Sequence, residues 1–115
     1  MTAGCQTKQA PPTEDGFQDV NVAEFKQLME GRDVVVLDVR TPEETAQGMI
    51  EGAREIDFRG PDFRGKMDQL DRDTTYLVYC RSGGRSASAG AVMEEMGFTR
   101  IYNLVGGYTA WSQSE

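Results

Sequence analysis

Tyr76-Leu77-Val78-Tyr79-Cys80-Arg81-Ser82-Gly83-Gly84-Arg85-Ser86 decides how this chain of 115 residues folds. The run Thr75–Tyr79 is uncharged and rich in β-branched and aromatic residues, which predicts a strand buried on both faces of a parallel sheet. From Ser86 to Met96 the sequence turns to small residues and helix formers, and Gly97 supplies a left-handed stop. A strand, a glycine-rich loop and a helix follow in order. Cys80 falls at the carboxyl end of the strand, where open α/β sheets place their ligands.

That position dictates chemistry. A thiol is a weak nucleophile until it becomes a thiolate, and a helix amino terminus with nearby cations favours the thiolate. Gly83 and Gly84 let the backbone curl so that successive N–H groups point inward as an anion-binding nest. Arg81 and Arg85 add fixed positive charge of a shape that matches an oxyanion. The loop therefore suits a cysteine that attacks or carries a negatively charged sulfur or oxygen species. The plain alternative is an inert core cysteine, since free Cys is usually buried. Such a residue needs neither two arginines nor two glycines beside it. The functional reading requires that the thiol be open to solvent and that the amides face inward.

The loop Cys80-Arg81-Ser82-Gly83-Gly84-Arg85-Ser86 closely resembles the active loop of single-domain rhodaneses, the sulfurtransferases. Three further stretches follow that family's order and spacing: Leu37-Asp38-Val39-Arg40-Thr41-Pro42-Glu43-Glu44, Gly48-Met49-Ile50-Glu51-Gly52-Ala53 and Gly106-Gly107-Tyr108-Thr109-Ala110-Trp111. The likeness covers the chain from about residue 17 onward. It implies an α/β, rhodanese-like three-layer fold with a central, mostly parallel five-stranded sheet and helices on both faces. It implies Cys80 as the catalytic nucleophile and Arg81, Ser82, Gly83, Gly84, Arg85 and Ser86 as the substrate- and anion-binding loop. Asp38 and Arg40 are carried over as supporting residues that brace the loop, against the plainer reading of a surface ion pair. Met49 stands where the family usually has histidine. That histidine is not the nucleophile, so the departure touches local packing.

Composition narrows the field. The length allows one domain with a real core. A net charge of −7 with no basic run argues against nucleic acid. The absence of histidine removes Ser-His-Asp triads and the common zinc sites, and two cysteines make neither a metal pattern nor a redox pair. No metal or cofactor is expected, and the chain is expected to act as a monomer.

Residues 1–16 are polar, proline-bearing and without periodicity, and read as a disordered lead-in before a domain over 17–115. Ala3-Gly4-Cys5 resembles the cleavage site of a bacterial lipoprotein, although no apolar stretch precedes it and Thr2 replaces the usual leucine. A cell-envelope location is the expectation, with a cytoplasmic chain and an incidental Cys5 as its alternative. Phe17 to Val20 is expected as a first strand. Asn21-Val22-Ala23-Glu24 has the form of a capping box, and Val22, Phe25, Leu28 and Met29 recur at helical spacing up to Gly31. Val34 to Leu37 is an apolar run expected as a central strand that carries Asp38 and Arg40 to the same rim as Cys80. Pro42 suits the first turn of a helix, with Glu43 and Glu44 favourable there. A short strand is expected within residues 54–58, then loop and helix to Asp73, where Arg59 and Arg64 are two cations the sequence leaves unplaced. Arg100 to Leu104 reads as the last strand. Gly106-Gly107 leads to a final helix in which Trp111 is a packing residue.

The leading expectation is a sulfurtransferase that takes sulfane sulfur from thiosulfate or a similar small anion. It forms a persulfide on Cys80 and passes the sulfur to a thiophilic acceptor, either a small thiol or a protein cysteine. A non-enzymatic sulfur-carrier module is one alternative. A phosphatase or arsenate reductase is another, disfavoured because four residues separate Cys80 from Arg85 where phosphatases of this geometry have five.

Overall fold

The computed structural model describes residues 16–114. Cys5 and the expected tail lie outside the described residues, except that Gly16, placed with the tail from sequence, opens the first strand. In chain order the elements are β1 (Gly16–Val20), α1 (Val22–Leu28), β2 (Val34–Asp38), α2 (Pro42–Thr45), β3 (Arg54–Glu55), α3 (Phe63–Asp68), β4 (Thr75–Tyr79), α4 (Gly84–Glu95), β5 (Arg100–Leu104) and α5 (Gly107–Gln113).

The five strands form one sheet in the order β1-β5-β4-β2-β3, and every neighbouring pair is parallel. Parallel strands need crossovers, and the helices that supply them cover both faces. β4 sits at the centre, and its side chains alternate as a pleat demands. Tyr76, Val78 and Cys80 enter a core shared with Phe63 and Met67 of α3 and Ala89 and Met93 of α4. Leu77 and Tyr79 enter the opposite core with Phe25 of α1, while Trp111 of α5 packs against it. Trp111 meets Phe25 edge to face at 6.1 Å, as its role in packing predicts. Each fully buried Leu or Phe of these layers contributes roughly 1.5–3 kcal/mol.

Local signals explain most boundaries. The Asn21 side chain accepts the Glu24 N–H at 2.8 Å and Glu24 accepts the Asn21 N–H at 2.8 Å, so the expected capping box forms. α1 gives way at Met29, two residues before the expected stop at Gly31. A second capping box, Thr41 with Glu44, opens α2 behind Pro42. α4 begins at Gly84 rather than Ser86, because its N-cap is Gly83 with φ +115. Gly84 itself has an ordinary φ and open space where a Cβ would stand, so the curl of the loop needs only the first of the two glycines.

Candidate active site

Three strand ends build the rim. Asp38 pairs in register with Tyr79, so Val39 leaves the sheet beside Cys80 and Arg40 follows one residue later. β5 ends next to them and turns through Gly106 into α5. Gly107 lies so close to the loop that an added Cβ would stand 2.5 Å from the Cys80 carbonyl oxygen and 2.6 Å from the carbonyl carbon of Arg81. That approach lets the first N–H groups of α5 reach out. Tyr108 N–H donates to the Cys80 carbonyl at 2.8 Å and Thr109 N–H to that of Arg81 at 3.1 Å. These helix N–H groups have no partner within their own helix, so the strand-to-loop peptide satisfies them and is clamped in return.

Within the loop the amides turn inward. Gly83 N–H donates to Cys80 Sγ at 3.0 Å, and the amides of Ser82 and Ser86 also face the sulfur. The Ser86 hydroxyl lies 3.4 Å from Sγ. Burial alone pushes the thiol up. The Ser86 hydroxyl and the amides of Ser86, Gly83 and Ser82 outweigh it, and the Cys80 pKa lies below its ordinary value. The amides of Ser82, Gly83 and Ser86 therefore belong to the nest. The requirement of an open thiol is not met: Cys80 is 1 % exposed. The ring closes on its sulfur, and Arg81 and Ser82, which follow it, are exposed.

The two loop arginines have opposite uses. Arg85 turns toward α2, where Nη1 donates to Glu44 Oε1 at 2.7 Å and Nη2 to Oε2 at 2.8 Å. The Arg85 bond holds the Glu44 carboxyl down at about 2, aided by Thr41 and opposed by partial burial. Arg85 thus ties the loop to α2, with its charge paired to Glu44. Arg81 is exposed and, among the described residues, makes no side-chain hydrogen bond or ion pair. It lines a hollow of about 480 Å³ beside the loop together with Arg40, Glu43, Gln47, Tyr108 and Thr109.

Asp38 and Arg40 are not a surface pair. Both are buried, and Arg40 Nη2 meets Asp38 Oδ2 at 2.7 Å. The same Nη2 donates to the Gly48 carbonyl at 2.6 Å, and the guanidinium lies 4.4 Å from the Tyr108 ring centroid. The pair supports the loop by fixing Tyr108 and hence the amino end of α5. Arg64 is bound to Glu95 at 3.0 Å, at the far end of α4 from Cys80, and does not reach the rim. Arg59 is exposed, its N–H bonded to Asp57 at 2.9 Å.

Sequence reasoning missed Glu44 as the partner of Arg85. The Thr41-x-x-Glu44 spacing signals a cap, but the ion pair joins residues 41 positions apart and leaves no local trace. Asn103, buried at the end of β5 and bonded to Ser86, was also missed, because a single polar residue in an apolar strand carries no motif.

The structure is an α/β domain whose doubly covered parallel sheet seats one cysteine in a ring of amides at its carboxyl edge. Residues 21–114 match the model of the rhodanese-like domain. A protein named sulfurtransferase from Allochromatium vinosum is 39% identical over 88 residues, which cover 76% of this chain and 80% of that one. The thiosulfate sulfurtransferase GlpE of Pseudomonas aeruginosa is 37% identical over 98 residues, covering 84% and 86%. The crystal structure of a rhodanese-related protein from Thermoplasma volcanium superposes with a TM-score of 0.74 at 31% identity, over 84% of this chain and 92% of that one. The chain belongs to the rhodanese-like domain family.

Proposed function

We propose that this protein is a rhodanese-type sulfurtransferase working through a persulfide on Cys80. The Cys80 thiolate attacks the outer sulfur of thiosulfate or a like donor. A sulfur–sulfur bond forms at Sγ, the donor's own sulfur–sulfur bond breaks, and sulfite leaves with the electron pair. A nucleophilic acceptor (cyanide, a small thiol or a protein cysteine) then takes the outer sulfur and Cys80 returns as thiolate. The observation that carries this reading is the Gly83 N–H directed at Sγ from 3.0 Å, backed by the Ser82 and Ser86 amides. Those donors stabilise negative charge on sulfur without a general base, in a chain that has no histidine.

Arg81 recognises the donor's anionic oxygens at the mouth, since Arg85 is already neutralised by Glu44. Cys80 is 1 % exposed, so donor sulfur reaches Sγ only when the loop opens. The relatives named sulfurtransferases support the class of reaction. Phosphatase chemistry is disfavoured by the four-residue interval from Cys80 to Arg85 and by the engagement of Arg85.

The test is the intact mass of reduced protein after incubation with thiosulfate. A gain of one sulfur atom, retained in Cys5→Ser and lost in Cys80→Ser, is the expected result. A protein that gains no sulfur yet hydrolyses an aryl phosphate would overturn the proposal.

A further inference from the structure

The Ser86 hydroxyl holds one proton and faces three acceptors. Cys80 Sγ lies at 3.4 Å, the Gly83 carbonyl at 3.2 Å and Asn103 Oδ1 at 2.5 Å. Which of them receives the proton depends on how the Asn103 amide is turned, and that is decided one step further out. Asn103 Nδ2 donates to Asp19 Oδ1 at 2.9 Å. A carboxylate only accepts, so it fixes the NH2 group toward Asp19 and leaves the carbonyl oxygen toward Ser86. Asn103 thus stands as a rival acceptor for the only side-chain proton that, among the described residues, is in position to stabilise the Cys80 thiolate.

We infer that Asn103, oriented by Asp19, is a positioning residue that draws the Ser86 proton away from Cys80 and so sets how readily the thiol ionises. In the neutral thiol form the Ser86 proton lies on Asn103, and the Ser86 lone pairs face the sulfur. When the thiol loses its proton the hydroxyl turns to Sγ, and Asn103 Oδ1 loses its donor. Ionisation therefore gives up one hydrogen bond to make another, and the thiolate gains only the difference. The charged groups around the sulfur are separate from this chain of contacts. They are Arg85, with Glu44 across it and Asp57 also acting on its guanidinium. The inference rests on Cys80 being the working thiol, but its readout does not require sulfur transfer.

The measurement is the pH titration of the Cys80 thiolate by its ultraviolet absorbance in a Cys5→Ser background. Removing the rival acceptor with Asn103→Ala lowers the midpoint by about half a unit to one unit, the scale of one hydrogen bond. Asp19→Asn, an isosteric change at an exposed position, lets the Asn103 amide turn its NH2 to Ser86, and shifts the midpoint the same way by a smaller amount. Ser86→Ala raises it. The decisive arm is coupling. In a Ser86→Ala background both shifts vanish, because they act only through the hydroxyl proton. A midpoint that rises, stays put, or moves equally with and without Ser86 overturns the inference. If Asn103→Ala fails to fold, the Asp19→Asn pair decides alone. Sulfur loading in the mass experiment is read separately, so failure of this inference is distinguishable from failure of the persulfide mechanism.

Discussion

Replacing Glu44 with glutamine isolates the charge that anchors the loop after Cys80. Glutamine keeps the volume and an oxygen for the Thr41 cap, and loses only the ion pair with Arg85. The Glu44 carboxyl is held at about 2 against an ordinary 4.5, which corresponds to about 3 kcal/mol of preference for the ionised folded form. Glu44 is 27 % exposed and Arg85 16 %, so solvent screening reduces this to about 1.5–2 kcal/mol at neutral pH. For a domain near 100 residues that is a fall in Tm of roughly 6–14 °C. The sign with pH is fixed by the depression. Stability from Glu44 is fully present above the unfolded value near 4.5 and is lost as pH falls toward about 2. Urea unfolding followed through the fluorescence of Trp111, the single tryptophan, measures both. The wild type and Glu44→Gln should differ at pH 7 and converge between 4.5 and 2. A gap that keeps its size at pH 2.5, or no gap at pH 7, would refute the anchoring role.

Two further perturbations probe the brace and the close approach. Asp38→Asn leaves the Arg40 guanidinium buried without its counter-charge, and should cost about 3 kcal/mol or more in urea unfolding; a loss below 1 kcal/mol would mean the pair is effectively solvated. Gly107→Ala forces a Cβ into the Cys80 and Arg81 carbonyl groups at φ +56, and should both destabilise the domain and abolish sulfur loading. Gly84→Ala meets nothing within 4 Å in the first turn of α4 and should raise stability by about 0.5–1 kcal/mol. Equal effects of the two alanines in thermal unfolding would contradict the geometry.

The strand–loop–helix around Cys80 was legible because each of its signals is local. Thr75–Tyr79 forms the expected strand to the residue. The Asn21 box caps α1, and Arg54–Glu55 is the short strand expected within residues 54–58. The sharing of a rim by Asp38, Arg40 and Cys80 was legible from the apolar runs that precede them, and the register bears it out. What sequence could not yield are facts about distant partners. The loop sequence supplies Arg85 but not its partner, and only the fold brings Glu44 to it. Gly83 and Gly84 look alike, yet only the first is bent. The burial of the thiol was misjudged for the same reason. Loop composition indicates that a ring can form but not how closely it shuts, and closure here depends on Gly107 and on the α5 amides, more than twenty residues downstream.

Burying an unpaired ion costs several kcal/mol, so closure alone makes the ring a poor place for a charge. The balance reverses once the donors are counted. A hydrogen bond to a charged group contributes roughly 1.5–3 kcal/mol, and the sulfur faces three amides and a hydroxyl. α4, twelve residues long, starts beside it and adds the positive end of its dipole. All but one of these donors belong to the backbone, so no side-chain substitution removes them directly. A substitution acts by letting the ring relax. That is why the side chains that matter here, Glu44 on Arg85 and Asp38 on Arg40 against Tyr108, sit behind the loop and hold its shape.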